Sequence, residues 1–160
     1  MTKEKFPTTQ AIRALKHHKV EFSIHYYKYE EKGGTAVAAR EFNVEEHLVV
    51  KTLVMEDGNG NPFLILMHGD KKVSTKALAR ALGVKTVRPC DPKVANKHTG
   101  YLVGGTSPFG TKKPLKTCIE ETIVNLNKIY INAGKRGLLV VISPGDLMRV
   151  LKPTPVNVAI

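Results

Sequence analysis

Apolar and polar residues follow one another in short blocks whose period switches between that of a helix and that of a strand. Ala11, Ile12 and Leu15 recur at helical spacing behind the entry signal Pro7-Thr8-Thr9. Phe22, Ile24 and Tyr26 alternate with Ser23, His25 and Tyr27, which predicts a half-buried strand within residues 20–27. Gly33-Gly34 breaks the pattern, and Thr35 is the expected cap of a small-residue helix over 36–42 that docks Val37 and Phe42 on a sheet. Residues 48–55 and 63–67 predict the two strands of a hairpin around Asp57-Gly58-Asn59-Gly60-Asn61. Ser74 or Thr75 opens a helix with Ala77, Leu78, Ala81 and Leu82 on one face and Gly83 as its stop. A short strand over 84–87 follows, and then a turn of helix from Asp91-Pro92 to Lys97. Strands over 129–132 and 138–142 flank Ala133-Gly134-Lys135-Arg136-Gly137. The last helix has Ser143 as cap, Pro144 at its first position and Asp146 in its first turn, where the helix dipole favours an anion. Leu147, Val150 and Leu151 form its buried face, and Pro153 and Pro155 end it.

This order of elements predicts an α+β fold, with a central, largely antiparallel mixed sheet of six or seven short strands packed by short helices. At 160 residues the chain suits one compact domain over 1–160. A hydrophobic fraction of 42% excludes a disordered chain. The longest apolar runs, 63–67 and 138–142, fall far short of the roughly 20 residues that span a bilayer. Residues 1–7 carry charges with no apolar stretch behind them, so no secretory signal, no membrane and a cytoplasmic location are expected. Cys90 and Cys118 read as two reduced thiols. His17 and His18 are adjacent, the other four histidines are scattered, and no metal-binding motif occurs, so neither a metal nor a cofactor is expected.

The formal charge of +11 favours a polyanionic partner. Lys71, Lys72, Lys76 and Arg80 bracket one helix, Lys112, Lys113 and Lys116 follow a glycine-rich stretch, and Lys135-Arg136 sits between glycines. Interleaved aromatics for base-by-base readout are missing, so the pattern suits phosphate contacts.

Two features carry candidate chemistry. Lys51 lies in the apolar run Leu48-Val49-Val50-Lys51-Thr52-Leu53-Val54. It is either a lysine that guards an edge strand or a cation fixed at the mouth of a pocket. Gly104-Gly105-Thr106-Ser107-Pro108 is either an ordinary long turn or a backbone nest for an anion or oxyanion. It is neither a P-loop nor a nucleophile elbow.

Together, Lys51-Thr52-Leu53, the run from Thr99 to Pro108 and Gly134-Lys135-Arg136-Gly137-Leu138 resemble the YbaK/EbsC family of freestanding aminoacyl-tRNA deacylases, related to the editing domain inserted in bacterial prolyl-tRNA synthetase. The likeness runs from the first helix to Leu151. It implies hydrolysis of the ester on a misacylated tRNA 3′ end, foremost cysteine on tRNA(Pro) and otherwise cysteine on tRNA(Cys), with prolyl-tRNA synthetase as a further partner. By position, Lys51 matches the family's functional lysine, which engages the terminal nucleotide. Gly104, Gly105, Thr106, Ser107 and Pro108 match the loop around the aminoacyl carbonyl. Tyr27, Thr52, Gly100, Tyr101, Lys135 and Arg136 fall at substrate-binding positions. For cysteine, the resemblance implies attack by the substrate's own thiol, giving a thiolactone. Two departures stand out: Leu139 replaces an acidic residue common in cysteine-specific members, and the stretch 30–35 is short. They leave room for other specificities, such as alanine on tRNA(Pro), or for a tRNA- or synthetase-binding module without turnover.

Overall fold

The computed structural model describes residues 8–160, so the readings made for residues 1–7 lie outside it. In chain order the elements are α1 (Gln10–His17), β1 (Ser23–Tyr26), α2 (Gly34–Phe42), β2 (Val49–Asp57), β3 (Pro62–His68), α3 (Thr75–Leu82), β4 (Val87–Pro89), α4 (Pro92–Thr99), β5 (Lys116–Glu120), β6 (Ile129–Lys135), β7 (Leu138–Ile142), α5 (Pro144–Leu151) and β8 (Thr154–Val156). Four helices start where a short polar side chain takes an orphan amide. Thr9 accepts from Ile12 N, Ser74 from Ala77 N, Asp91 from Lys93 N and Ser143 from Asp146 N. The helix α2 departs from expectation. Its N-cap is Gly33, without a side-chain bond, and Thr35 lies inside the helix.

The sheet runs β1-β7-β6-β2-β3-β5-β8, with β4 added against the far end of β2. Pairs β1/β7, β6/β7, β2/β3 and β2/β4 are antiparallel, whereas β2/β6, β3/β5 and β5/β8 are parallel. Eight strands stand where six or seven were expected, and β5 and β8 are the unforeseen ones. Thr154-Pro155-Val156 reads as a helix terminator in sequence. It becomes a strand because it pairs in parallel with Cys118, Ile119 and Glu120. The strand expected over 84–87 forms later, at Val87–Pro89, and α3 buries Ala79 in place of Ala81.

Strand alternation gives the sheet two faces. One carries Val50, Leu66, Ile119, Ile129, Ile131, Leu138 and Val140, covered by Ile12 and Leu15 of α1 and Leu147 of α5. The other carries two separate apolar clusters. Ala38 and Ala39 of α2 pack on Val49, Tyr130 and Leu139. Leu78 and Ala79 of α3 pack on Met55, Phe63, Ile65, Met67 and Cys118. Along β2 this second face reads Val49, Lys51, Leu53, Met55, so Lys51 falls where one cluster stops and the other begins.

Candidate active site

Strand β2 is hydrogen-bonded to β6 on one side and β3 on the other, which removes the edge-strand reading of Lys51. Its cross-strand partner is Met67, and its Nζ donates to the Gly69 carbonyl at 3.4 Å. Burial pushes the Lys51 pKa down. Glu46 and Asp70 pull it back up, and nearby Lys72 pushes it down further. A half-dehydrated ammonium with one long hydrogen bond keeps donors free for an incoming anion. Gly69 is confined at this point. A Cβ there would lie 2.5 Å from Thr35 Oγ1 and 2.8 Å from the Val49 carbonyl.

The glycine loop is tied to the β6–β7 hairpin. Asn132 Nδ2 donates to the carbonyls of Gly104 at 3.1 Å and Lys135 at 3.2 Å, while its Oδ1 accepts from Gly134 N at 2.7 Å. Arg136 Nε donates to the Val103 carbonyl at 2.8 Å, and its guanidinium lies 5.2 Å from the Tyr29 ring centre. Gly105 is buried so close to the hairpin that a Cβ would stand 2.9 Å from Arg136 N. Asn132 pairs with Leu139, which puts it on the same sheet face as Lys51. Val50 and Ile131 are the last registered pair of β2 and β6, and Lys51 and Asn132 each follow next. The lysine and the residue that grips the loop therefore stand on one face, on adjacent strands.

Within the loop, Thr106 Oγ1 donates to the Leu102 carbonyl at 3.4 Å. Ser107 and Pro108 are buried, and Ser107 Oγ accepts from Phe109 N at 3.2 Å, so the serine braces the loop from inside. Gly104 is exposed and presents backbone. Tyr27 packs edge-on against Phe42 in the α2 cluster, and burial raises its hydroxyl pKa. Lys135 and Arg136 are exposed at the hairpin tip.

Three of the residues singled out in the sequence are not brought to this gap. Thr52 points to the opposite sheet face, where its hydroxyl is buried without a partner. Tyr101 belongs to the core on that opposite face. Its hydroxyl donates to the Phe109 carbonyl at 2.7 Å, and burial pushes its pKa up to about 12. Gly100 lies beside it in a shallow depression of about 410 Å³, together with Thr99, Gly110, Thr111 and Lys112.

Other residues enter that sequence reading missed. Asn132 and Gly69 are two, and a lone amide in the apolar run 129–133 was the only signal for the first. His47 and His68, 21 positions apart, stack with ring centres 3.6 Å apart, and Asp70 accepts from His47 Nδ1 at 2.9 Å. These three could offer metal-ligand atoms within 4.8 Å of one another. His68, however, already spends both ring nitrogens, Nδ1 on the His47 carbonyl at 2.8 Å and Nε2 on Thr122 Oγ1 at 2.6 Å. Neither cysteine is poised as a nucleophile. Burial and Glu56 push the Cys90 thiol up to about 11, and burial raises Cys118.

The class of protein is set by its family. Residues 30–150 match the aminoacyl-tRNA editing domain, and the chain belongs to that family. More particularly, it is 31% identical over 141 residues to EbsC of Enterococcus faecalis, provisionally named a Cys-tRNA(Pro)/Cys-tRNA(Cys) deacylase, with 88% of this chain and 86% of that protein aligned. Two crystal structures share the fold. One, of the hypothetical protein APE2540, aligns with TM-score 0.86 and 22% identity over 95% of this chain and 100% of that one. The other, provisionally assigned as a trans-editing enzyme for prolyl-tRNA synthetase, aligns with TM-score 0.82 and 20% identity over 96% and 98%. Homology of this kind supports aminoacyl-tRNA deacylase function. Among the described residues, no helix is long and apolar enough to cross a membrane.

Proposed function

We propose that this chain is a freestanding editing deacylase of the cytoplasm that hydrolyses the ester of a mischarged tRNA, cysteine on tRNA(Pro) being the first substrate to test. The observation that carries this reading is the placement of Lys51 and the Asn132-held Gly104 loop on one sheet face. Lys51 supplies a partly dehydrated cation for the phosphate of the terminal nucleotide. The loop backbone surrounds the aminoacyl carbonyl, where pre-set dipoles stabilise charge that develops on oxygen. With cysteine, the substrate thiol adds to its own ester carbon. The ribose oxygen leaves with a proton, and a thiolactone is released that water opens afterwards. The protein contributes orientation and electrostatics, in keeping with cysteines whose pKa values are raised.

Leu139 favours a second specificity. It is buried among Val49, Tyr130 and Ala38, at the position that is acidic in cysteine-specific relatives. Alanine on tRNA(Pro) is therefore the second substrate. The test measures free amino acid released from cysteinyl- and alanyl-tRNA(Pro), with and without prolyl-tRNA synthetase. Wild type accelerates release from at least one, and Lys51→Ala lowers the rate ~30- to 1000-fold, equivalent to about 2–4 kcal/mol of lost transition-state binding. A chain that binds tRNA but accelerates neither release is a binding module, and the proposal is then wrong.

A further inference from the structure

We propose that the tRNA leaves the ester site across the outer face of α3, with its phosphates tracking Lys72, Lys76 and Arg80. This inference rests on the deacylase reading and adds the direction in which the RNA lies. Residues 71–90 hold Lys71, Lys72, Lys76, Arg80, Lys85 and Arg88 with no Asp or Glu, so this one stretch carries +6 of the chain's +11. Only Arg88 of the six has a carboxylate partner among the described residues, Glu56 at 2.7 Å.

The placement of that charge follows from packing. Leu78 and Ala79 of α3 cover Met67, and Met67 is the cross-strand partner of Lys51. The helix therefore covers the apolar cluster that begins beyond Lys51 on the same sheet face. Its buried side is fixed by those residues, which turns Lys76 and Arg80 outward, one helical turn or ~6 Å apart along the axis. Lys72 sits before the helix and is held in place by reciprocal backbone bonds with Ile160, both 2.9 Å. It lies near enough for its charge to act on Lys51. Lys72, Lys76 and Arg80 thus form an exposed basic stretch on and just before α3, and Lys72 is the member whose charge reaches Lys51.

The opposite flank of Lys51 carries two exposed cations, Lys135 and Arg136, rather than a longer run of them. There the Gly104 loop is strapped to the β6–β7 hairpin, and Arg136 is already committed to the Val103 carbonyl and the Tyr29 ring. The Lys112-Lys113 pair belongs to the segment bonded to the end of α4, with Lys112 N on the Thr99 carbonyl and Lys113 N on the His98 carbonyl. The acyl group accordingly faces the loop, and the polynucleotide extends over α3.

The experiment measures the affinity of the full chain for an uncharged tRNA acceptor minihelix between 50 and 200 mM salt. The triple variant K72Q/K76Q/R80Q is expected to flatten the log–log salt slope by about two to three units, three released counterions at ~0.7–0.9 each. The charge-conserving variant K72R/K76R/R80K keeps the wild-type slope, and K112Q/K113Q/K116Q stays within one unit of it. The path over α3 is overturned if K72Q/K76Q/R80Q retains the full slope while wild type binds, or if the Lys112 cluster variant is the one that loses it. It is equally overturned if wild type shows no salt-dependent binding at all, whereas the deacylase reading stands or falls on the release of free amino acid. Thermal unfolding of each variant identifies any loss of affinity that comes from loss of fold.

Discussion

Lys51, the cation of the proposed site, is held at the expense of the fold. Its pKa is lowered because burial penalises the ammonium more than Glu46 and Asp70 compensate. The unfolded chain therefore binds that proton more tightly than the folded one. Stability contributed by this group rises with pH between the lowered folded pKa and the ordinary lysine value, and carries its full penalty below both. Replacing Lys51 by Met removes the penalty at neutral pH. Lys51→Met is thus expected to unfold at or above the wild-type temperature while losing deacylation. A markedly lower Tm would contradict this account. His68 behaves with the same sign at lower pH. Its pKa is lowered chiefly by burial, and the carbonyl of His47 requires Nδ1–H to donate, which leaves Nε2 to accept from Thr122 in the neutral ring. Below about pH 6.5 the unfolded chain takes up a proton that the folded chain refuses, at a cost of up to ~1.4 kcal/mol per pH unit. Urea unfolding at pH 7.5 and pH 5 is expected to show this loss, and His68→Gln to reduce it.

Helix caps were the most legible elements, because a cap needs one side chain and one amide a few residues away. Ser74, Asp91 and Ser143 all occupy the positions that their sequence context predicts. Ser74→Ala is expected to cost about 1 kcal/mol in chemical denaturation. Thr35 misled because a threonine behind two glycines has the same local signature. Inside the helix its side chain instead packs on Gly69, just after β3, where a Cβ would lie 2.5 Å from Thr35 Oγ1. The glycine loop was legible in composition and illegible in its attachments. Asn132 and Arg136 bond its carbonyls, and Gly105 lets the hairpin backbone approach. Gly105→Ala would press its methyl against Arg136 N and displace the loop. It is expected to cut deacylation on the order of 100-fold while Tm changes little. A rate near wild type would show that the loop carries no part of the reaction.

At the scale of the molecule, the sheet is completed by its least strand-like segment. Glu120 is buried, and one carboxylate oxygen accepts from Val158 N at 2.6 Å and Ala159 N at 2.9 Å, which draws the chain after β8 back over the β3–β5 side. Glu120→Ala would strand two amides and is expected to cost about 2–3 kcal/mol by urea titration, with Glu120→Gln recovering part of it through its amide oxygen. This contact explains why β5 and β8 escaped prediction. Their stability comes from a parallel partner and a buried acid far apart in sequence, and neither leaves a local period.

By itself the sequence determined the helices and hairpins, the basic charge and the motifs that resemble the editing family. Each of these is written in residues that lie within a few positions of one another or in matched strings. The tertiary structure decided which face of β2 Lys51 takes and that Asn132 stands level with it on the next strand. It also turned Thr52 and Tyr101 away, and packed α3 on the cluster that holds Met67, the lysine's cross-strand partner. Strand order and register join residues with no local signal of their meeting, so only packing across the whole sheet could place a cation and a glycine loop on one face.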